Sequence, residues 1–207
     1  MGEATWRDVT ILWARVSDMR DFTAADLAQM GERQLARSRQ LSEDRAAAFL
    51  AGRALIRDVV SRLGGGADIR LDSRCERCGE DHAAPKTPGF VVSVGHAEDL
   101  VAVAAARGTA ALGIDVEPNH AAGRVAELGR LFAPAAVPTL AAWTRIEAAI
   151  KADGRGIAID PSAVRMQEEP QTSDQRLWSV VLPGAVSRLQ VTTLPGPVGF
   201  TLSVARG

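Results

Sequence analysis

The sequence predicts an α+β protein made of two similar halves that meet near residue 110. The first observation is that segments typical of strand, helix and further strands occur twice in this order along the chain. The second is that 46% of the 207 residues are hydrophobic, enough for one large core or two smaller linked ones. The halves share no evident sequence identity, so the repeat is one of architecture. We expect residues 1–110 to form the first half and residues 111–207 the second.

The first half begins with a predicted strand and a long predicted helix. The segment TWRDVTILWAR has the apolar and β-branched content of a strand. The segment SEDRAAAFLAGRALIRDVVSRLGGG follows, with Ser42 as the expected N-cap and the glycines at 64–66 as the expected end of the helix. Helical spacing of its large apolar residues predicts a core helix, with the stripe Phe49, Ile56, Val60 and Leu63.

A β-hairpin is predicted to complete the first half. The apolar segments FVVSV and LVAVAAA are joined by GHAED, which predicts two antiparallel strands with His96 in the turn.

The polar loop before this hairpin, residues 72–89, contains both cysteines of the chain. Cys75 and Cys78 lie in RCERCGEDH, and three interpretations stay open: a loop with reduced thiols, a redox pair, or half of a zinc site with His82. A closed zinc site needs four ligands, and only three are near one another in this loop.

The second half begins with the strand LGIDVEP and has one predicted helix. A connection containing glycine and proline, residues 118–138, leads to a helix that runs from about Thr139 to Asp153 and stops before Gly154. Four further segments then have the composition of strands: GIAID, LWSVVL, RLQVTTL and VGFTLSVA.

Two acidic side chains share one face of the strand LGIDVEP. Side chains alternate along a strand, so Ile114 and Val116 can face a core while Asp115 and Glu117 point to the other side. Two neighbouring carboxylates are tolerated if both face water, and they are useful if a cation lies between them. An isolated pair of this kind is usually without function, because so short a motif often occurs by chance.

The predicted helix adds a third carboxylate and a lysine. Glu147 and Lys151 are four positions apart and lie on one helical face, where they could form an exposed ion pair worth only tenths of a kcal/mol. Together with the strand acids, however, three carboxylates can hold a hard divalent cation, and the lysine can meet an anionic substrate. Magnesium prefers carboxylates plus phosphate oxygens, so this set predicts a diphosphate substrate.

These two motifs resemble those of the 4'-phosphopantetheinyl transferases, specifically the larger single-chain class that includes the surfactin-synthetase activator. That class carries a G-[IV]-D-[VI]-E strand and then a W-[ST]-x-K-E-[AS]-x-x-K-x-x-G-x-G-[LI] helix, and LGIDVEP and WTRIEAAIKADGRGI match both in order and spacing. A looser resemblance runs from about Arg33 to the end and includes RALIR, CERCGEDH and VVSVGHA. The resemblance implies two pseudo-symmetric α+β halves with coenzyme A in the cleft between them.

The activity implied by the resemblance is transfer of the phosphopantetheine arm of coenzyme A to a serine of a carrier protein, with release of 3',5'-ADP. Asp115, Glu117 and Glu147 match the magnesium ligands of the family, with Mn²⁺ as an alternative cation. Glu147 or a water molecule would accept the serine proton, and the serine oxygen would attack the β-phosphate. Lys151 matches the lysine that contacts the pyrophosphate, and His96 matches the histidine that holds the 3'-phosphate. The implied acceptors are acyl or peptidyl carriers of polyketide, nonribosomal peptide and other secondary metabolite synthesis.

The chain departs from the family pattern mainly on the coenzyme A side. An arginine of the family is replaced by Ala48, so Arg45 or Arg53 is expected to take its place, and Lys86 is displaced by one position in AAPKTPG. Each lost charge-assisted hydrogen bond costs about 1.5–3 kcal/mol, so we expect altered recognition of the donor. The other neutral residues at usually polar positions are Gly95, Ala97, Ala136 and Ile146.

Two other functions stay open. A noncatalytic or repurposed family member would bind a carrier protein or an acyl-coenzyme A, which the same departures favour. A metal-dependent nuclease also uses acids and a lysine, but its glutamate and lysine are usually two apart on a strand, and this chain has no excess of basic residues.

Charge and hydropathy limit the expected partners. With 24 basic and 25 acidic residues the formal charge is -1, so no global field attracts nucleic acid or an anionic membrane. No apolar run reaches the roughly 18 residues of a membrane span, and the start of the chain lacks signal-peptide features. We expect a cytoplasmic monomer whose partners are coenzyme A and an acidic carrier protein.

A docking surface for the carrier is predicted in the connection before the second helix. Its apolar members, Leu131 and Phe132, could instead pack in the core. The predicted surface consists of Arg124, Arg130, Leu131 and Phe132.

Overall fold

The computed structural model describes residues 1–19, 21–66, 68–75, 78–81, 83–127, 132, 136–170 and 175–207. Within these residues the chain is a mixed α+β protein, which confirms the predicted α+β class. It divides into two compact units, Met1–Thr109 and Ala110–Gly207. The described residues of each unit form a five-stranded antiparallel sheet with helices around it.

The sheet of the first unit has the strand order β1-β2-β5-β4-β3. The strands are β1 Gly2–Trp6, β2 Val9–Arg15, β3 Lys86–Thr87, β4 Phe90–Ala97 and β5 Leu100–Arg107. The helices are α1 Ala24–Gln29, α2 Glu32–Arg39 and α3 Glu43–Arg62, with a 3-10 turn at Val16–Met19.

The start of the chain is a hairpin rather than the single strand that was predicted. Trp6 pairs with Val9 across a two-residue turn in which Arg7 has a left-handed φ of 56°. That conformation reverses the chain within two residues, and nothing in the apolar content of the segment indicates it.

Two short helices, α1 and α2, were not predicted. Thr23 and Asp26 form a capping box at the start of α1, since the Thr23 side chain accepts from the Asp26 amide and Asp26 accepts from the Thr23 amide. This T-x-x-D spacing is the signal that could have indicated the helix.

The long helix α3 lies where it was predicted. Ser42 occupies the N-cap position, although its hydroxyl makes no capping hydrogen bond to the described helix. Ile56 and Val60 are buried, and Phe49 and Leu63 pack partly buried against the same cluster. Neither α3 nor any other helix of the described residues is long and apolar enough to cross a lipid bilayer.

The hairpin of β4 and β5 has a tighter turn than predicted. Ala97 pairs with Leu100, so the turn is only Glu98 and Asp99, and Glu98 takes a left-handed φ of 53°. His96 therefore lies in β4 opposite Val101, and its predicted place in the turn was wrong.

The sheet of the second unit has the order β6-β10-β9-β8-β7. The strands are β6 Leu112–Pro118, β7 Arg165–Glu168, β8 Trp178–Val181, β9 Leu189–Leu194 and β10 Phe200–Arg206. The helices are α4 Ala122–Glu127 and α5 Leu140–Asp153, with 3-10 turns at Asn119–Ala121, Gly156–Ala158 and Pro161–Ala163.

Helix α5 is bounded as the sequence predicted. The Thr139 side chain accepts a hydrogen bond from the Ala142 amide at 3.2 Å, and Gly154 ends the helix with a left-handed φ of 85°. The predicted strand GIAID was wrong, because Gly156 is left-handed and Asp160 caps a second 3-10 turn. The last three predicted strands correspond to β8, β9 and β10.

The two sheets share one pattern of connection. In each unit the last strand pairs with the strand that comes before the long helix: β5 with β2, and β10 with β6. The other strands after the long helix then follow in reverse chain order, and β1 adds an outer strand to the first sheet alone.

Candidate functional site

The polar centre of the second unit lies where α5 crosses β6. Gly113 makes a close approach possible, because a Cβ atom at this position would lie 1.9 Å from the Ala148 carbonyl oxygen and 2.5 Å from the Ala152 amide nitrogen. Only glycine leaves room for the helix backbone here. One face of β6 carries Gly113, Asp115 and Glu117, which occupy alternate positions along the strand. The acidic face of β6 is therefore the face that α5 covers.

Asp115 forms an ion pair with Lys151 in this covered region. The Lys151 Nζ atom donates to Asp115 Oδ1 at 2.8 Å, and the side chains are 33% and 8% exposed respectively. Burial raises the pKa of Asp115, and the Lys151 ammonium opposes that rise. Asp115 is therefore not a solvent-facing carboxylate, which was one of the two interpretations of the sequence.

The second carboxylate oxygen of Asp115 is left without a partner. Asp115 Oδ2 is buried and accepts no hydrogen bond of ordinary geometry from the described residues, although the neighbouring Val116 amide acts on this carboxyl and lowers its pKa. A buried polar atom without a partner is costly, and in native structures it often indicates a ligand or ion.

Glu147 belongs to the same electrostatic group. Burial raises its pKa, the negative charges of Asp115 and Glu117 raise it further, and Lys151 opposes them. Lys151 thus bonds to Asp115, and the simple surface pair of Glu147 with Lys151 is not what the structure contains. The strand motif and the helix motif therefore supply one group of interacting charges.

The carboxylates have the chemistry for a hard cation, but they do not form a closed cage. The described residues contain no group of three His, Cys, Asp or Glu side chains already placed to hold a metal ion. Carboxylate oxygens are the ligands that Mg²⁺ prefers, and a cation would relieve both the unpartnered Oδ2 atom and the raised pKa of Glu147. The residues present therefore fit Mg²⁺ in the type of their donor atoms, and not in their placement.

A buried row of hydroxyl groups lies next to Asp115, and sequence reasoning missed it. Ser203 faces Asp115 across the β10–β6 pair, and its Oγ atom is 2.8 Å from Thr144 Oγ1 and 3.0 Å from Thr193 Oγ1. Thr144 and Ser203 are fully buried. The row joins α5 to the sheet beside the charged group. Thr144 lies three positions before Glu147 on the same side of the helix, and this spacing was the available signal.

The first unit contains a cavity of about 360 Å³ with a basic wall. It brings together three of the residues predicted to bind coenzyme A: Arg45, Arg53 and His96. Arg37 of α2 also lines it and was missed, because that helix was not predicted. The acidic lining residue, Asp81, is paired with Arg33 at 2.9 Å. The wall is therefore suited to an anion.

Arg53 is the buried member of this wall. It is 6% exposed, its Nε atom donates to Gln34 Oε1 at 2.8 Å, and its guanidinium lies 4.1 Å from the centre of the Phe49 ring. Burial lowers its pKa to about 10, so it stays charged at neutral pH. These partners are neutral and leave its charge available to an anion.

His96 lies on the surface of β4 beside α3. Its Nε2 atom is 3.3 Å from the carbonyl oxygen of Ala48, and it also lines the basic cavity. A histidine bonded to backbone and a histidine that contacts phosphate were the two interpretations of the sequence. Both are compatible with this position.

Lys86 lies apart from the other predicted coenzyme A residues. It is in β3, the edge strand, where it pairs with Val91, whereas His96 is near the opposite end of β4. Lys86 lines a different cavity, of about 430 Å³, with Arg70 and Asp72. The structure therefore does not bring it to Arg45, Arg53 and His96.

Several predicted residues fall outside what the structure describes. His82 is one of them, so the zinc interpretation of its loop stays open; Cys75 and Cys78 are not joined by a disulfide. Arg130 and Leu131 of the predicted docking surface are also outside the described residues, as is the side chain of Arg124.

Phe132 packs in the interior of the second unit. It is 6% exposed and meets the Trp143 ring edge to face, with the ring centres 6.2 Å apart. Of its two interpretations, core packing is the one observed.

Comparison with known protein families gave no matching family model, and comparison with curated proteins gave no match. The functional interpretation therefore depends on the motifs LGIDVEP and WTRIEAAIKADGRGI and on the geometry of their residues.

Proposed function

We propose that this protein transfers the 4'-phosphopantetheine arm of coenzyme A to a serine of an acyl or peptidyl carrier protein, with Mg²⁺ as cofactor. The observation that carries the proposal is the contact between the two motifs: Lys151 of the helix bonds to buried Asp115 of the strand. Glu147 interacts electrostatically with both, and with Glu117. The fold of the transferase family, a monomeric state and a cytoplasmic location belong to the same proposal and stay predictions.

The residues of the second unit have separate roles in this reaction. Asp115, Glu117 and Glu147 would hold Mg²⁺. When bound, Mg²⁺ orients the diphosphate of coenzyme A and neutralises charge that develops on it. Lys151, whose side chain is one-third exposed, can turn from Asp115 to the diphosphate and stabilise the departing 3',5'-ADP.

The proton acceptor in the proposed reaction is Glu147 or a water molecule. It would take the proton of the carrier serine as the serine oxygen forms a bond to the β-phosphorus and the bond from that phosphorus to the bridging oxygen breaks.

The basic cavity of the first unit supports the donor side of the proposal. Arg37, Arg45 and Arg53 supply positive charge, and His96 lies in the same wall. We assign the 3'-phosphate of coenzyme A to this cavity. Arg45 and Arg37 would take over from the arginine that the family has in place of Ala48.

The test is mass spectrometry of an apo carrier protein incubated with coenzyme A, Mg²⁺ and this protein. The wild type should add one phosphopantetheine group, and Asp115→Ala and Glu147→Ala should abolish the addition. Glu168→Ala removes an exposed carboxylate of the same unit and should keep full activity. Failure of the wild type on every cognate carrier, or activity in both site variants, would contradict the proposal.

A repurposed, noncatalytic family member is the second candidate. The placement of Ala48 favours it, because this neutral residue lines the cavity where the family has an arginine, and its carbonyl oxygen contacts His96. Calorimetry separates the candidates: affinity for a carrier or an acyl-coenzyme A without turnover in Mg²⁺ or Mn²⁺ would favour this one, and turnover would eliminate it.

A further inference from the structure

We infer that Lys151 competes with the divalent cation for the Asp115 carboxylate; this inference rests on the proposed function. In the cation-free protein its ammonium group lies on the carboxylate that the cation would use. Lys151 therefore keeps the affinity of the protein for a cation alone low, and the cation binds well only when an anion draws Lys151 away.

The geometry of the ion pair supports this competition. Lys151 Nζ lies 2.8 Å from Asp115 Oδ1, and the Asp115 side chain is 8% exposed, so water screens the pair poorly. A divalent cation bound to the same carboxylate would lie within a few ångströms of the ammonium group. The repulsion between two positive charges at that distance weakens binding of the cation as long as the ammonium group stays on Asp115, even though Oδ2 has no other partner.

Lys151 is the partner that can move. Its side chain is 33% exposed, and it lies in the last turn of α5, three residues before the Gly154 cap. A lysine has a long flexible stem and a compact ammonium group that can exchange one anionic partner for another. Asp115 is buried beneath α5 on a strand that is hydrogen-bonded to β10, and it has no such freedom.

The placement of the carboxylates agrees with this competition. No three acidic side chains of the described part of the chain are already placed around a common point for a metal. Asp115 is held by Lys151, while the charges of Asp115 and Glu117 act against ionised Glu147. The ammonium group thus supplies, without a cation, part of the positive charge that the site needs.

The experiment is a calorimetric titration of the full chain with Mn²⁺ alone, without coenzyme A, at pH 8. Lys151→Met removes the competing charge and keeps the apolar stem, and it should bind Mn²⁺ about tenfold more tightly than the wild type, since one charge-assisted bond no longer competes. Lys151→Arg keeps a cation and should stay close to wild-type affinity. Arg155→Met is the matched control: it removes a positive charge near the same helix end that is paired with Asp153, and it should change nothing.

Each result has one meaning. Equal or weaker Mn²⁺ binding by Lys151→Met overturns the inference and leaves the metal site of the proposed function intact. Absence of Mn²⁺ binding by both proteins overturns the metal site itself. Equal tightening in Arg155→Met would show a general charge effect and would also overturn the inference. Thermal unfolding verifies the fold of each variant, and Lys151→Gln replaces Lys151→Met if the latter does not fold.

Discussion

At the scale of single residues, the ionised side chain of Glu147 lowers the stability of the folded protein, although the proposed function requires it. Its folded pKa is raised, first by burial and then by Asp115 and Glu117. An acid of this kind holds its proton more tightly when folded, so its contribution to stability is greatest below its ordinary pKa of 4.5 and falls as the pH rises above it. The ionised form is useful only when a cation is present.

Glu147→Gln should therefore stabilise the cation-free protein at neutral pH. Urea unfolding should give a higher midpoint than the wild type at about pH 7, and the difference should shrink at about pH 4. Glu168→Gln, on an exposed carboxylate, should show no such change. A Glu147→Gln protein that is less stable than the wild type at neutral pH would contradict the electrostatic account.

Arg53 and Arg45 line one cavity but should respond differently to truncation. Arg53→Ala leaves Gln34 Oε1 without its buried donor and removes packing on Phe49, which should cost about 2–4 kcal/mol of unfolding free energy. Arg45 is exposed, so Arg45→Ala should change stability by less than about 0.5 kcal/mol. Both variants should bind coenzyme A more weakly. Equal stability of the two variants in denaturant unfolding would show that the buried contacts of Arg53 do not stabilise the fold.

The sequence predicted which residues belong to the site, but it did not predict how buried they are or which elements cover them. Alternation along LGIDVEP placed Asp115 and Glu117 on one face, but it could not show that α5 covers that face. The covering depends on Gly113, whose role is visible only once the helix backbone lies against it. In the same way, Arg37 joins the basic cavity through a helix that its own sequence indicates weakly.

At the scale of elements, the crossing of α5 over β6 holds the site together. Gly113→Ala places a methyl group 1.9 Å from the Ala148 carbonyl oxygen, so the helix must move away from the strand. We expect a loss of about 3 kcal/mol or more of unfolding free energy and a weaker contact between Lys151 and Asp115. Gly123→Ala is the control, because a Cβ atom there meets no atom within 4 Å, and it should be neutral or slightly stabilising. Similar losses in both variants would contradict the close crossing.

The hydroxyl row should couple α5 to the sheet. Thr144→Val and Ser203→Ala should each cost about 1–2 kcal/mol, because each leaves a buried hydroxyl with fewer partners. The double variant should cost less than the sum, with a coupling of about 1 kcal/mol in denaturant unfolding. Additive losses would show that the Thr144 and Ser203 hydroxyls do not act as a pair.

Elements with strong local signals were predictable, and those fixed by single backbone conformations were not. Helix α5 has a threonine cap, an apolar stripe and a glycine stop, and its bounds followed from them. The left-handed Arg7, Glu98 and Gly156 each redirect the chain within one or two residues. Arg7 and Glu98 are not glycines, so neither apolar periodicity nor the usual turn residues indicated the two turns that contain them.

At the scale of the whole molecule, the α+β class followed from the order of segments, but the sheets did not. Each unit pairs its last strand with the strand before its long helix, a long-range pairing that no local pattern of the sequence encodes. The similar connectivity of the two sheets describes their topology and does not by itself indicate a function. The catalytic proposal instead depends on a few charged residues within each unit.

The most direct test of the central claim is a calorimetric titration of coenzyme A into this protein with and without Mg²⁺. If Asp115, Glu117 and Glu147 hold a cation that binds the diphosphate, Mg²⁺ should raise the affinity of the wild type for coenzyme A by about tenfold or more. Asp115→Asn should lose that dependence while keeping the weaker, cation-independent binding. Coenzyme A that does not bind, or that binds the wild type equally with and without Mg²⁺, would contradict the account.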